Sequence, residues 1–145
     1  MNTELSILAN LGLSGFEENI FEAATTVDGE LKRNPKLKLG LYNDTTYFIF
    51  LDSKLMKIGK VGGGSRCLYM RVCDYRSYDP TGMKISDAIR NGGEVKILAI
   101  VFETKKEEIF GIMTEGAVRG PKLEKALMIK AEELGISLEW NVNKG

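Results

Sequence analysis

The chain contains no histidine. That absence excludes Ser-His-Asp and Cys-His catalysis, His-metal nuclease centres and the usual zinc sites, all of which need an imidazole. Only two cysteines occur, Cys67 and Cys73, six positions apart and without a His partner. They match no metal-ligand spacing and read as packing thiols. No apolar run approaches the ~18 residues of a membrane span. The start, Met1-Asn2-Thr3-Glu4, lacks the basic region of a signal peptide, so an intracellular protein is expected.

Net charge is also lacking: 20 basic and 20 acidic side chains cancel. The distribution is less even. Residues 57–90 carry a net +4, residues 1–56 a net −3 and residues 91–145 a net −1. A basic middle between acidic ends suits a local polyanion site better than a generally adhesive surface.

What is present is ordinary for a globular domain of 145 residues, with 43% apolar and 28% charged side chains. The richest segment is Thr45–Leu51, a polar turn at Asp52-Ser53-Lys54, then Leu55-Met56-Lys57-Ile58-Gly59-Lys60. Two strand-like runs around a polar turn read as a β-hairpin. Such a hairpin brings the Tyr47 phenol near the Lys57 ammonium, and a positive charge favours the ionised phenol.

Before the hairpin, helical patterns are expected around Glu4–Leu11 and Glu17–Ala24. Pro35 interrupts the basic stretch Leu31–Lys36. After Val61-Gly62-Gly63-Gly64-Ser65, a helix over 65–77 carries Leu68, Val72 and Tyr75, and Tyr78–Gly82 breaks it. A short helix follows at Lys84–Asn91, and Glu94–Phe102 alternates as a third, central strand. A charged helix is expected near Lys105–Ile109. The helix Pro121–Leu134 has proline in its first turn and Gly135 just beyond its end, as helix boundaries prefer. The tail Ile136–Val142 is compatible with an edge strand.

Two helical faces carry chemistry. Arg71 and Tyr75 are four apart and share a face, where a planar guanidinium can bind two phosphate oxygens. Glu124 borders the apolar side of its helix with Leu127, Met128 and Ala131. There it either stabilises the helix start or coordinates something.

The ordered set Tyr47, nine residues, Lys57-Ile58-Gly59-Lys60, then Arg71 with Tyr75, a helical Glu124 and Trp140-Asn141 resembles the GIY-YIG endonuclease superfamily. Thr46-Tyr47 stands where that family has the Ile-Tyr of its first motif, and Lys57-Ile58-Gly59 where it has Tyr-Ile-Gly. Lysine at that position is similar to a variant of restriction-type and phage members. The resemblance covers roughly residues 45–142. It implies an α+β fold, a small three-stranded, mostly antiparallel sheet flanked by helices, with residues 1–44 as a helical or irregular extension and 45–145 as the nuclease domain.

The resemblance further implies hydrolysis of DNA phosphodiester bonds with Mg²⁺ or Mn²⁺, Glu124 holding the metal. Tyr47 takes the base position and Lys57 that of the second-motif tyrosine. Arg71 and Lys60 take the phosphate, with Tyr75 orienting phosphate or water. At a phenol pKa of ~10 only about 1% is ionised at pH 8, so Lys57 beside Tyr47 is chemically coherent. Arg66, Arg76, Lys84 and Asn141 are expected to contact substrate, and Arg66 competes with Arg71 for the phosphate position. A dimer or tetramer is compatible with one site cutting one strand. The phage branch implies action in a host cytoplasm.

Two alternatives stand beside this. Glu94-Val95-Lys96 with Asp79 or Asp87 resembles the Asp…Glu-x-Lys site of other endonucleases, and a catalytically silent DNA-binding or interaction module would keep the fold without the chemistry. The Gly59–Ser65 stretch does not match a nucleotide-binding phosphate loop in order or spacing.

Overall fold

The computed structural model describes residues 2–37, 44–62, 72, 80–101, 106–109, 112–115 and 120–141. Its centre is an antiparallel five-stranded sheet, ordered β2-β1-β5-β3-β4. The strands are β1 (Ile20–Val27), β2 (Glu30–Arg33), β3 (Asp44–Leu51), β4 (Lys54–Gly62) and β5 (Val95–Val101). Helix α1 (Asn2–Leu8) runs into a π turn at Ala9–Leu13; α2 spans Pro80–Arg90 and α3 spans Gly120–Glu133.

Alternation in β3 divides the core between the two faces. Tyr47 and Ile49 pack with Val61, Val72 and Ile85, the last on α2. Phe48 and Phe50 pack with Leu8, Leu11, Ile58, Leu127 and Ala131, drawn from α1, the π turn and α3. The central strand β5 is apolar on both faces, with Ile97, Leu98, Ala99 and Ile100 all buried. Among the described residues, no helix is long and apolar enough to cross a membrane.

The β3–β4 hairpin forms as expected. Its turn residues Asp52 and Ser53 both have positive φ, 48° and 67°, the pair that a two-residue hairpin turn demands. Asp52 pays for that strain through two bonds to Glu94: its N–H donates to the Glu94 carbonyl and its Oδ1 accepts from the Glu94 N–H, both at 2.9 Å. Beside the turn, the buried Glu4 carboxylate accepts from Lys96 Nζ at 3.5 Å. A Ser53 hydrogen bond, helped by Lys96 and opposed by burial, holds the Glu4 carboxyl below its usual value.

Four expectations are corrected. The sheet has five strands, because residues 20–33 add β1 and β2 through pairing of β1 with β5. The helix expected over Glu17–Ala24 is only a 3₁₀ turn at Glu17–Asn19 followed by β1. Ile20, Phe21, Thr25, Thr26 and Val27 are strand formers, and the open edge of β5 outweighs the local helical pattern. The segment Lys106–Ile109 is a strand, β6, paired with β7 (Ile112–Glu115) in a separate hairpin. Four residues offer too few internal hydrogen bonds to sustain a helix. Helix α2 also begins earlier than expected. Pro80 opens it, where a missing N–H costs nothing.

Candidate functional site

Strand β4 lies at the edge of the sheet and carries two of the predicted residues, Lys57 and Lys60. Tyr47 is directly opposite Gly59, and its side chain is only 3% exposed. The phenol end of the ring lies against Gly59. A Cβ at position 59 would collide with the ring carbon Cζ and the hydroxyl of Tyr47. The glycine is therefore a steric requirement of the phenol's position.

Lys57 stands opposite Ile49, so it shares the face of Tyr47 as a diagonal cross-strand neighbour, a separation that long side chains span. A bulge makes this so: the register passes from Ile49–Lys57 to Phe50–Leu55, leaving Met56 as the extra residue. The Lys57 Nζ donates to the Thr81 hydroxyl of α2 at 2.8 Å. Lys60, opposite Thr46, is exposed and belongs to the other face.

Glu124 reaches that other face from α3, half-buried. Burial raises its carboxyl above the ordinary value, and the ammonium groups of Lys60 and, second, Lys57 pull it back down. The carboxylate is thus desolvated yet close enough to both lysines to feel their charge. Among the described residues no hydrogen bond or ion pair holds it. A carboxylate in that condition fits a hard divalent cation such as Mg²⁺, which needs only one or two protein carboxylates and fills its octahedron with water and phosphate oxygens. No group of three or more acidic or thiol ligands exists among the described residues.

Asn141 has a different setting from the substrate contact expected of it. Its Oδ1 accepts from the Ile58 N–H at 3.1 Å and its Nδ2 donates to the Ile58 carbonyl at 3.0 Å. Next to it, the Trp140 N–H donates to the Met56 carbonyl at 2.9 Å. The tail therefore follows the outer edge of β4, but its described residues form no strand, contrary to the edge strand expected over Ile136–Val142, and it binds partly through a side-chain amide. An exposed Lys54–Glu139 pair at 2.7 Å adds little.

Lys84 lies on α2, one turn after Thr81, and joins no hydrogen bond or ion pair among the described residues. Arg66, Arg71, Tyr75 and Arg76 lie outside the described residues. Val72, next to Arg71, is buried in the cluster that contains Tyr47. The alternative acidic arrangement is dispersed: Asp87 pairs with Arg90 on α2, Lys96 with Glu4, and Glu94 is exposed at the hairpin turn. Asp79 lies outside the described residues.

Thr81 is the contact that sequence reasoning missed. It sits in the Tyr78–Gly82 stretch read only as a helix breaker. The signal was Pro80 followed by a hydroxyl residue, the start of a helix rather than an interruption.

No family model and no curated protein matches the chain. Among solved structures, the chain is similar to a mutant of bacteriophage T4 EndoII, with a TM-score of 0.59 and 20% identity, over 88% of this chain and 94% of that one. It also matches the restriction endonuclease HPY188I in complex with product DNA at a TM-score of 0.45 and 12% identity, over 89% and 83% of the two chains. The chain thus has an α+β fold of the kind seen in the T4 EndoII mutant.

Two outcomes follow. Gly59→Ala is expected to cost about 1–3 kcal/mol in urea unfolding, as overpacking does, but much less when Tyr47→Ala has already removed the ring. For Glu124, the penalty on the ionised form exists only in the native state. It acts at pH values above the raised native pKa and vanishes below the unfolded value of ~4.3. Glu124→Gln should therefore melt above the parent at pH 8, with the gain disappearing near pH 4.

Proposed function

We propose that the chain is a metal-dependent DNA endonuclease. The observation that supports this reading is a desolvated Glu124 carboxylate, without a described partner, that feels the charges of Lys60 and Lys57 on edge strand β4, with Lys57 on the face of Tyr47, in a fold shared with T4 EndoII. Tyr47 takes the proton of the attacking water. Lys57, on the same face, favours the phenolate that this step needs. Lys60 stabilises charge that develops on the phosphate, and Arg71 is assigned the same task from its place in the sequence. Tyr75 is assigned the orientation of phosphate or water on the same basis.

Glu124 would hold the divalent ion, Mg²⁺ or Mn²⁺. That ion supplies Lewis-acid stabilisation of the phosphoryl oxygens and lowers the pKa of bound water. Asn141 serves by fixing the backbone at Ile58, and through it the strand that carries Lys57 and Lys60. Arg66, Arg76 and Lys84 are left as backbone-phosphate contacts of the basic middle segment. One such site cuts one strand, so a double-strand break calls for a dimer or a larger assembly.

A silent DNA-binding module is the second reading, and the burial of Tyr47 favours it, since a general base must meet water.

Supercoiled plasmid with Mg²⁺ separates the two. The parent is expected to nick it, and Glu124→Ala to lose at least about a hundredfold, the upper end of what losing even an outer-shell partner costs a metal site. Binding without metal-dependent nicking in the parent would favour the silent module. Nicking that survives Glu124→Ala but dies with Glu94→Ala would move the site to the hairpin turn.

A further inference from the structure

We propose that Thr81 is the positioning residue for Lys57: its hydroxyl, carried at the start of α2, fixes the Lys57 ammonium on the Tyr47 face of the sheet. The proposal deepens the nuclease reading and rests on it for its catalytic consequence.

The Lys57 stem can reach toward either face of the sheet. It hangs from an edge strand on a stem with four rotatable bonds. On one side lies the face shared with Tyr47. Toward the other face lies the Glu124 carboxylate, which already senses the Lys57 charge. Opposite charges attract, so an untethered ammonium is drawn around the β4 edge, away from the phenol. The 2.8 Å bond to Thr81 Oγ1 opposes that pull.

The location of Thr81 suits the hydroxyl to this contact. The first turn of a helix presents unpaired N–H donors and a partial positive charge, neither of which attracts an ammonium. A side-chain oxygen in the first turn supplies an acceptor where the backbone supplies none. Thr81 is also only 6% exposed and β-branched, so its hydroxyl is held by packing and by a stiff χ1. The same helix buries Ile85 in the cluster of Tyr47. Helix α2 thereby sets the spacing between the ammonium and the phenol from a residue outside every motif in the sequence.

The test uses the full chain with Thr81→Val, which removes the acceptor but keeps the branched shape, and Thr81→Ser, which keeps the acceptor. Thr81→Ala serves if valine is not tolerated, and circular dichroism confirms that each variant folds. Acetylation of Lys57 by acetic anhydride, followed by mass spectrometry, reads the ammonium's freedom without any reference to activity. Thr81→Val should speed it several-fold, about tenfold for full loss of a hydrogen bond to a charged group, with Lys60 unchanged and Thr81→Ser like the parent. In the nicking assay Thr81→Val and Lys57→Met should each displace the pH–rate profile upward, because each takes positive charge away from the Tyr47 phenol, and adding Thr81→Val to Lys57→Met should change nothing more.

Equal Lys57 acetylation in parent and Thr81→Val, failure of serine to restore it, or additive effects of the two substitutions would overturn the proposal. If the parent nicks DNA but acetylation is unmoved, only the Thr81 assignment falls. If acetylation responds but the parent never nicks, Thr81 still places Lys57 and the nuclease reading falls instead.

Discussion

The site depends on how β4 is held at both of its edges. Its inner edge pairs with β3 through a register that contains one bulge, at Met56. Its outer edge is closed by the tail, with Trp140 bonded to Met56 and the Asn141 amide bonded twice to Ile58. A strand free on one side can slip, and a slip of one residue sends every side chain to the opposite face. Here such a slip would put Lys57 beside Glu124 and Lys60 beside Tyr47. The tail blocks it, and it also covers an edge that could otherwise pair with another chain.

With β4 fixed, the alternation of a strand distributes the chemistry. Lys57 and Gly59 face the layer of α2, where the glycine leaves room for the Tyr47 ring. Lys60 faces the layer of α3, where Glu124 stands half-buried. An edge strand is the one place in a layered fold where both faces can meet around a common rim. The cost of this arrangement is visible in the raised carboxyl of Glu124, an ionisable group kept partly out of water. Groups under that kind of strain concentrate where a protein binds or reacts.

Much of this could be read from the residues. The hairpin, the central strand β5 and helix α3 follow from alternation, turn chemistry and the proline–glycine boundaries. Tyr47, Lys57 and Glu124 stand out in the sequence as ionisable groups, and strand pairing puts the first two on one face. The misses share a physical cause. Strand β1 carries a weak helical pattern and becomes a strand only because β5 offers a partner more than seventy residues away. The Met56 bulge is a property of two strands together, so neither run reveals it alone. Asn141 looks like a polar substrate contact until the neighbouring backbone is in place, and Thr81 acquires a role only when α2 docks on the sheet.

The most direct measurement is a Mn²⁺ titration followed by the loss of backbone amide NMR signals, since a paramagnetic ion broadens only what lies close to it. Signals of residues 57–60 of β4 and of the first turns of α3 should fade first in the parent and persist in Glu124→Ala. Broadening centred on Asp52 and Glu94 at the far end of the hairpin, or unchanged by the loss of Glu124, would contradict a metal-dependent site built on the edge of β4.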